Sequence, residues 1–279
     1  MKPPSFAYAR PGTVAEAAGL LAQGDGAVLL AGGQSLMPML NLRLAAPDTV
    51  IDINGIAGLA DVRRDDGRLR IGAMARQAAL MRTPAVGEAL PLLALALPHI
   101  GHPQTRSRGT IGGSLCHADP AAELALVAVA ADAVLTLLSS AGTRTVPARA
   151  FFLHAMETVR AADEILTEIT FPASRPGARC AFRELARRHG DFAIAAVAAE
   201  WSPEGLTIAV GGLEATPRVC AHLSRELAGR PFEQAAVVRL IDEELAQTEP
   251  LEDGVIGPDY RLQLARVLLN DCLAEVLPP

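Results

Sequence analysis

Two glycine pairs constrain this chain more than any other feature: Ala31-Gly32-Gly33-Gln34-Ser35 and Thr110-Ile111-Gly112-Gly113-Ser114. Each follows or adjoins an apolar run and is flanked by small hydroxyl residues. Glycine permits positive φ and has no Cβ to keep a ligand away from its N–H. Consecutive N–H groups in such turns form concavities suited to anions. Two turns of this kind, with Gln34, Ser35, Thr110 and Ser114 able to hydrogen-bond phosphate oxygens, point to a diphosphate held from two sides.

The pattern excludes the commoner phosphate sites. Gly32-Gly33 is not G-x-G-x-x-G, so a Rossmann dinucleotide fold is disfavoured. There is no G-x-x-x-x-G-K-[ST]. Net charge is −6, which argues against a nucleic-acid partner and leaves anion binding to local dipoles. Half the residues are apolar but only 4% are aromatic, so the core is aliphatic and few rings are available for stacking.

The four cysteines, Cys116, Cys180, Cys220 and Cys272, are scattered without ligand spacing. They read as buried thiols, not as metal or cluster ligands. Met1 to Phe6 lacks the apolar region of a signal peptide. The longest apolar stretch, Leu124 to Leu138, is interrupted by Asp132 and is too short to span a membrane. The expectation is a cytoplasmic protein without a membrane span.

Along the chain, Thr13-Val14-Ala15-Glu16 has capping-box spacing and predicts a helix to Gln23, stopped by Gly24-Asp25-Gly26. Val28 to Ala31 reads as a strand entering the first glycine turn, and Ser35 as the cap of a helix reaching Leu44. Val50 to Ile53 and Leu69 to Ile71 read as strands. Arg76 to Leu97 is helical, broken at Pro84 and Pro91, and Pro98 to Arg108 is a polar loop before the second turn. Glu123 to Ala131 predicts a buried helix. Ala133 to Leu138 and Arg144 to Val146 form a hairpin, and Glu164 to Phe171 another strand. Pro172 to Gly177 is the linker. Beyond it come strands at Arg179 to Leu185, Phe192 to Trp201 and Leu206 to Val210, then helices that include Tyr260 to Val276. Blocks of strands and helices indicate α+β.

Four motifs then stand in order: Val-Leu-Leu-Ala-Gly-Gly-Gln-Ser-Leu (28–36), Arg-Gly-Thr-Ile-Gly-Gly-Ser-Leu (108–115), His-Ala-Asp-Pro-Ala-Ala-Glu (117–123) and Arg-Arg-His-Gly-Asp-Phe-Ala (187–193). Together they resemble the FAD-binding medium subunit of molybdenum hydroxylases, the carbon monoxide dehydrogenase and xanthine dehydrogenase family. The resemblance implies a two-subdomain α+β FAD-binding fold of the vanillyl-alcohol-oxidase type over residues 1–173. A smaller α+β C-terminal domain would span residues 177–279. It implies noncovalent FAD, with Ala31, Gly32, Gly33, Gln34, Ser35 and Leu36 on one side of the pyrophosphate. Thr110, Ile111, Gly112, Gly113 and Ser114 would hold the other side.

By the same resemblance Glu123 lies near the sugar and ribityl hydroxyls, Ile100 beside the adenine, and Leu166 and Arg183 near the flavin. It implies an iron–sulfur small subunit with two [2Fe-2S] clusters and a molybdenum–pterin large subunit, assembled as a dimer of heterotrimers. This chain would pass electrons from those clusters to NAD, a quinone or dioxygen.

Other readings stay open at this level. Glu123 also suits the first turn of a helix. His117 and Asp119 serve either a local turn network or the flavin, and Arg187, Arg188, His189 and Asp191 either a solvated turn or a flavin or partner contact. His99 and His102 read as surface-loop histidines. A self-contained flavin oxidoreductase of the related reductase fold, or a FAD-free assembly subunit, would share the fold.

Overall fold

The structure is a computed structural model that describes residues 2–24 and 26–279. Met1, and Asp25 of the expected helix stop, lie outside the described residues. The first layer is β1 (Ala7–Ala9), α1 (Val14–Gln23), β2 (Ala27–Leu30), α2 (Leu36–Asn41) and β3 (Thr49–Asp52). Its three strands are parallel in the order β1-β3-β2. The capping box forms: the Glu16 N–H donates to Thr13 Oγ1, and the Thr13 N–H to Glu16 Oε2. Ala17, Ala18 and Leu21 of α1 bury against Ile51, Ile53 and Ile165.

The second layer contains β4 (Val62–Asp65), β5 (Arg68–Gly72), α3 (Gln77–Leu80), α4 (Pro84–Ala89), α5 (Pro91–Ala96), α6 (Pro103–Arg108), α7 (Ile111–His117) and α8 (Glu123–Ala130). It continues with β6 (Val134–Ser139), β7 (Gly142–Pro147), β8 (Phe152–His154), β9 (Glu157–Thr158) and β10 (Ile165–Pro172). Five of these strands make an antiparallel sheet in the order β4-β5-β10-β6-β7, with Ile169 paired to Ile71 on one side and Leu135 on the other. Pro84 and Pro91 each open a helix, where the missing N–H costs nothing. Every residue of α8 is buried, so its sequence shows no polar face.

Beyond the linker, β11 (Arg179–Ala186), β12 (Ala193–Ser202), β13 (Gly205–Gly211) and β14 (Arg218–Val219) form an antiparallel sheet in that order. Three helices follow, α9 (Ala221–Leu227), α10 (Gln234–Leu245) and α11 (Pro258–Val276). Strand β12 is buried on both faces. Val197 and Ala199 enter the core beneath α10 and α11, while Ala196 and Ala198 join the core around α8. Alanine is the residue that lets helices approach a sheet from both sides.

Three local expectations are corrected. Helix α2 stops at Asn41, short of Leu44, because Arg43 adopts φ 59°, and the Ser35 hydroxyl makes no capping bond. The stretch expected to be a polar loop, 98–108, contains α6, started by Pro103. The second glycine pair lies inside the first turn of α7 instead of in a turn between elements, with Thr110 as its N-cap.

Candidate functional site

A cleft of about 520 Å³ opens where the segment after β2, the start of α7 and the segment before β12 meet. That volume is typical of a cofactor site. Its walls include Ala31 to Leu36, Ile100, Thr110, Gly112, Gly113, Ser114, Glu123 and Leu166. The first two layers therefore bring together most of the residues singled out in the sequence.

The first glycine segment supplies the anion cradle. None of the backbone N–H groups of Gly32, Gly33, Gln34, Ser35 or Leu36 has an acceptor among the described residues. Gly32 is buried and Gly33, Ser35 and Leu36 are half-buried, and such backbone donors are nearly always paired in a folded chain, so this row of free amides along a cleft marks a place for an external anion. Gly33 takes φ 74°, a conformation that glycine adopts without a Cβ penalty. Gly32 is required for a different reason. A Cβ there would overlap the Arg108 carbonyl and come within 2.9 Å of Gly109 Cα, so this glycine lets one segment lie against the other.

The second segment behaves differently. The Ile111 N–H donates to Ala75 O at 3.1 Å, Gly112 to Ala73 O at 2.8 Å, Gly113 to Thr110 Oγ1 at 3.1 Å and Ser114 to Thr110 O at 3.2 Å. Four of its five amides are already taken, and among the described residues only the Thr110 N–H is left without an acceptor. Ile111 points into the core at 1% exposure and does not line the cleft. What this segment offers a ligand is the Thr110 and Ser114 hydroxyls. Gly112 is where α7 presses on the chain after β5: a Cβ would stand 2.7 Å from Ala73 O.

A brace joins the two segments. Asn54 Nδ2 donates to Ala31 O at 2.9 Å and to Asp52 Oδ1 at 2.6 Å. Arg76 donates to both Asn54 Oδ1 and Arg108 O. Tyr8 Oη anchors the far end on Asp52 Oδ2 at 2.6 Å, a bond that helps to hold the Asp52 carboxyl below its usual range against the opposing effect of burial.

Glu123 opens α8 and is 8% exposed at the cleft wall. Burial, reinforced by nearby Glu184, pushes its pKa up to about 7, so near neutrality it holds a proton for much of the time and can donate as well as accept. Behind it His99 Nδ1 meets Glu184 at 3.3 Å and the ring packs on Phe182. That hydrogen bond raises the His99 pKa. His99 is thus committed to a contact between the layers, and His102 lies against Gly190. His117 and Asp119 both line the cleft. Asp119 Oδ1 also accepts the Ala121 N–H at 2.9 Å, and burial lowers the His117 pKa.

Arg183 is placed elsewhere. Alternation along β11 sends Phe182 and Glu184 toward His99 but Arg183 to the opposite face, where it pairs with Glu275 of α11 at 2.8 Å. The position expected beside the flavin is therefore not part of the cleft. In its place the charged run contributes Gly190, Asp191 and Phe192 as a third wall. Gln77, Thr105 and Gly109 also line the cleft without having been marked in the sequence. Gly109 is the second residue of the 108–115 motif, but Gln77 and Thr105 sit in ordinary helical and polar patterns.

A cradle of free amides, flanking hydroxyls and a largely apolar remainder fits a dinucleotide with a diphosphate at its middle. Comparison with known proteins agrees. Residues 4–174 match the family described as the FAD binding domain in molybdopterin dehydrogenase, and residues 180–276 the CO dehydrogenase flavoprotein C-terminal domain. The chain is 38% identical to the carbon monoxide dehydrogenase medium chain of Hydrogenophaga pseudoflava, covering 98% of this chain and 97% of that one. It is 36% identical to the 6-hydroxypseudooxynicotine dehydrogenase complex subunit alpha of Paenarthrobacter nicotinovorans, over 99% and 96%. The solved structure of carbon monoxide dehydrogenase from Hydrogenophaga pseudoflava superposes with a TM-score of 0.95 over 99% of this chain and 98% of that chain, at 38% identity. Quinoline 2-oxidoreductase from Pseudomonas putida 86 gives 0.94 over 99% and 98%, at 31%. The chain therefore belongs to the FAD-binding medium subunits of the molybdenum hydroxylase family, of the carbon monoxide dehydrogenase and xanthine dehydrogenase type, and is an oxidoreductase subunit with FAD as its cofactor.

Proposed function

We propose that this chain is the relay subunit of a three-part molybdenum hydroxylase. Electrons enter from the [2Fe-2S] clusters of a small subunit, themselves reduced at a molybdenum–pterin large subunit. They leave through noncovalent FAD to an external acceptor of the NAD, quinone or dioxygen class. The assembly is a dimer of such heterotrimers working in the cytoplasm. The single observation that carries this reading is the row of five free amides from Gly32 to Leu36 facing the cleft.

When bound, FAD supplies the ability to take electrons one at a time and release them as a pair. The chain's own residues bind and orient it. The amides from Gly32 to Leu36 hold one side of the diphosphate, and the Thr110 and Ser114 hydroxyls the other. Glu123, protonated for much of the time near neutrality, donates to or accepts from sugar hydroxyls. A noncovalent link is supported by His99, which is engaged with Glu184, and by the absence of His99 and His102 from the cleft lining among the described residues.

The cysteines support the division of labour. Burial pushes the thiol of Cys116 up to about 11 and those of Cys180, Cys220 and Cys272 up to about 12. Together with their scattered spacing in the sequence, this supports placing the clusters on another polypeptide. No helix among the described residues is long and apolar enough to cross a membrane.

The test is purification of the native complex with assay of flavin, molybdenum, iron and acid-labile sulfide. Co-elution of all four with this chain, with flavin released by acid, is the expected result. Turnover of a small substrate by this chain alone would instead make it a self-contained flavin oxidoreductase. A complex lacking flavin would make it an assembly subunit.

A further inference from the structure

Arg261, in the first turn of α11, is a cation in a place that disfavours cations. It is 5% exposed, and its Nε is buried without an acceptor among the described residues. Its ion-pair partner is the exposed Asp253, reached by Nη2 at 2.6 Å. Taking a guanidinium out of water is unfavourable unless excellent geometry and further hydrogen bonds compensate. Packing of α11 on the sheet would be served as well by an aliphatic side chain.

Two backbone carbonyls explain the choice. Nη1 donates to Ile194 O at 2.6 Å and to Gly212 O at 2.8 Å, both bonds buried. Ile194 lies at a bulge: β11 pairs with Ala193 and Ala195 but skips it, and β13 pairs with β12 only from Ala196 onward. Gly212 follows the last residue of β13 and takes φ 71°. Buried carbonyls away from a regular ladder need a donor, and the rigid guanidinium fork reaches both at once.

Both carbonyls stand directly behind walls of the cleft. Ile194 is two residues past Phe192, which lines the cleft with Gly190 and Asp191. The Gly212 N–H donates to Pro120 O at 2.8 Å, and Pro120 lies between Asp119 and Glu123, two further lining residues. Gly212 is also fitted closely to β12, since a Cβ there would stand 3.1 Å from Ala193 O and from Ile194 O. Arg261 itself is not among the lining residues.

We propose that Arg261 is a positioning residue for the cofactor cleft. It never meets the ligand, but by clamping Ile194 to Gly212 it sets where the Gly190–Phe192 and His117–Glu123 segments stand. What this means for FAD rests on the reading above. The C-terminal domain thereby shapes the cofactor site from behind, through a single buried group of α11.

The experiment compares the full 279-residue chain with Arg261→Met and with Asp253→Asn, which removes the ion pair but leaves both carbonyl bonds. Hydrogen exchange in the flavin-free chains reads the clamp. FAD affinity per folded molecule and the fluorescence of bound flavin read its effect on the cleft. In Arg261→Met the Gly212 amide is expected to exchange at least about tenfold faster, relative to amides of β6. FAD is expected to bind about tenfold more weakly, with altered fluorescence. Asp253→Asn is expected to keep FAD affinity within about twofold of wild type, whatever stability it loses. Should Arg261→Met fail to fold, Gly212→Ala takes its place, pressing on the Ile194 carbonyl from the other side with the same expected changes. Faster exchange with unaltered affinity and fluorescence would overturn the proposal by making Arg261 purely structural. Equal weakening by Asp253→Asn, or unchanged exchange at Gly212, would overturn it too. Wild type that binds no FAD would overturn the FAD reading instead, leaving the exchange rates to judge the clamp.

Discussion

Gly32-Gly33 and Gly112-Gly113 look interchangeable in the sequence, yet they do opposite work in the fold. The first pair leaves its amides free and turns them into the cleft. The second has both amides occupied, that of Gly112 by the chain after β5 and that of Gly113 by the Thr110 hydroxyl. There the missing Cβ serves helix packing against Ala73. The lesson is that a glycine shows only that something must come close. Whether that something is a ligand or the protein's own backbone is decided by where the N–H groups go.

The sharpest way to break the contrast is Gly32→Val. A side chain there would drive into Arg108 and Gly109, separating the segments and scattering the cradle. Loss of FAD affinity by roughly 100-fold, about 2.8 kcal/mol, is expected by equilibrium dialysis. Near-normal affinity would refute the cradle. Gly112→Ala should behave otherwise. Overpacking against Ala73 is expected to cost about 2–3 kcal/mol in denaturant unfolding of the flavin-free chain, while FAD affinity per folded molecule stays within a few-fold.

Glu123 gives a smaller effect with a definite sign. Its folded pKa of about 7 exceeds the ordinary 4.5, so between those values the folded chain keeps a proton that the unfolded chain has released. Stability of the flavin-free protein therefore falls as pH rises through that window. Glu123→Gln should remove the slope and be roughly 3 kcal/mol more stable than wild type at pH 8, with little difference at pH 4. A variant that tracks wild type at both pH values would show Glu123 to be well solvated or fully paired.

Thr110→Val keeps shape but removes the cap on Gly113, and about 1 kcal/mol of stability should go with it. Arg183→Ala should do least, with FAD affinity unchanged in the same dialysis assay, because the side chain reaches α11 and not the cleft. A tenfold loss would restore the flavin contact that the resemblance suggested.

Much of the fold was legible because its signals are local. The Thr13–Glu16 box, the prolines opening α4 and α5, and the β6–β7 hairpin each depend on residues a few positions apart. Strand β1 was not legible: three residues pair with β3 across some forty intervening positions, and nothing local announces them. Helix α7 was hidden by two residues with the poorest helix propensity short of proline, although Thr110 three positions before Gly113 carried the capping signal. In the site, the sequence motifs pointed to residues that the structure places along one cleft, the Gly32 to Leu36 segment and Glu123 among them. They misplaced Arg183, because a strand's alternation decides its face and one position changes the answer. They passed over Gln77, since a glutamine in a helical pattern looks the same whether it meets water or lines a cleft.

The double burial of β12 ties the cofactor pocket to distant packing. The strand begins at Ala193, directly after the Gly190–Phe192 wall of the cleft, and its Ala196 and Ala198 rest on the same core as α8. A single added methyl group there would lift the strand and carry that wall outward with it. Mouth width, and with it exposure of whatever sits beneath, can therefore be retuned by evolution at alanines that never touch the ligand.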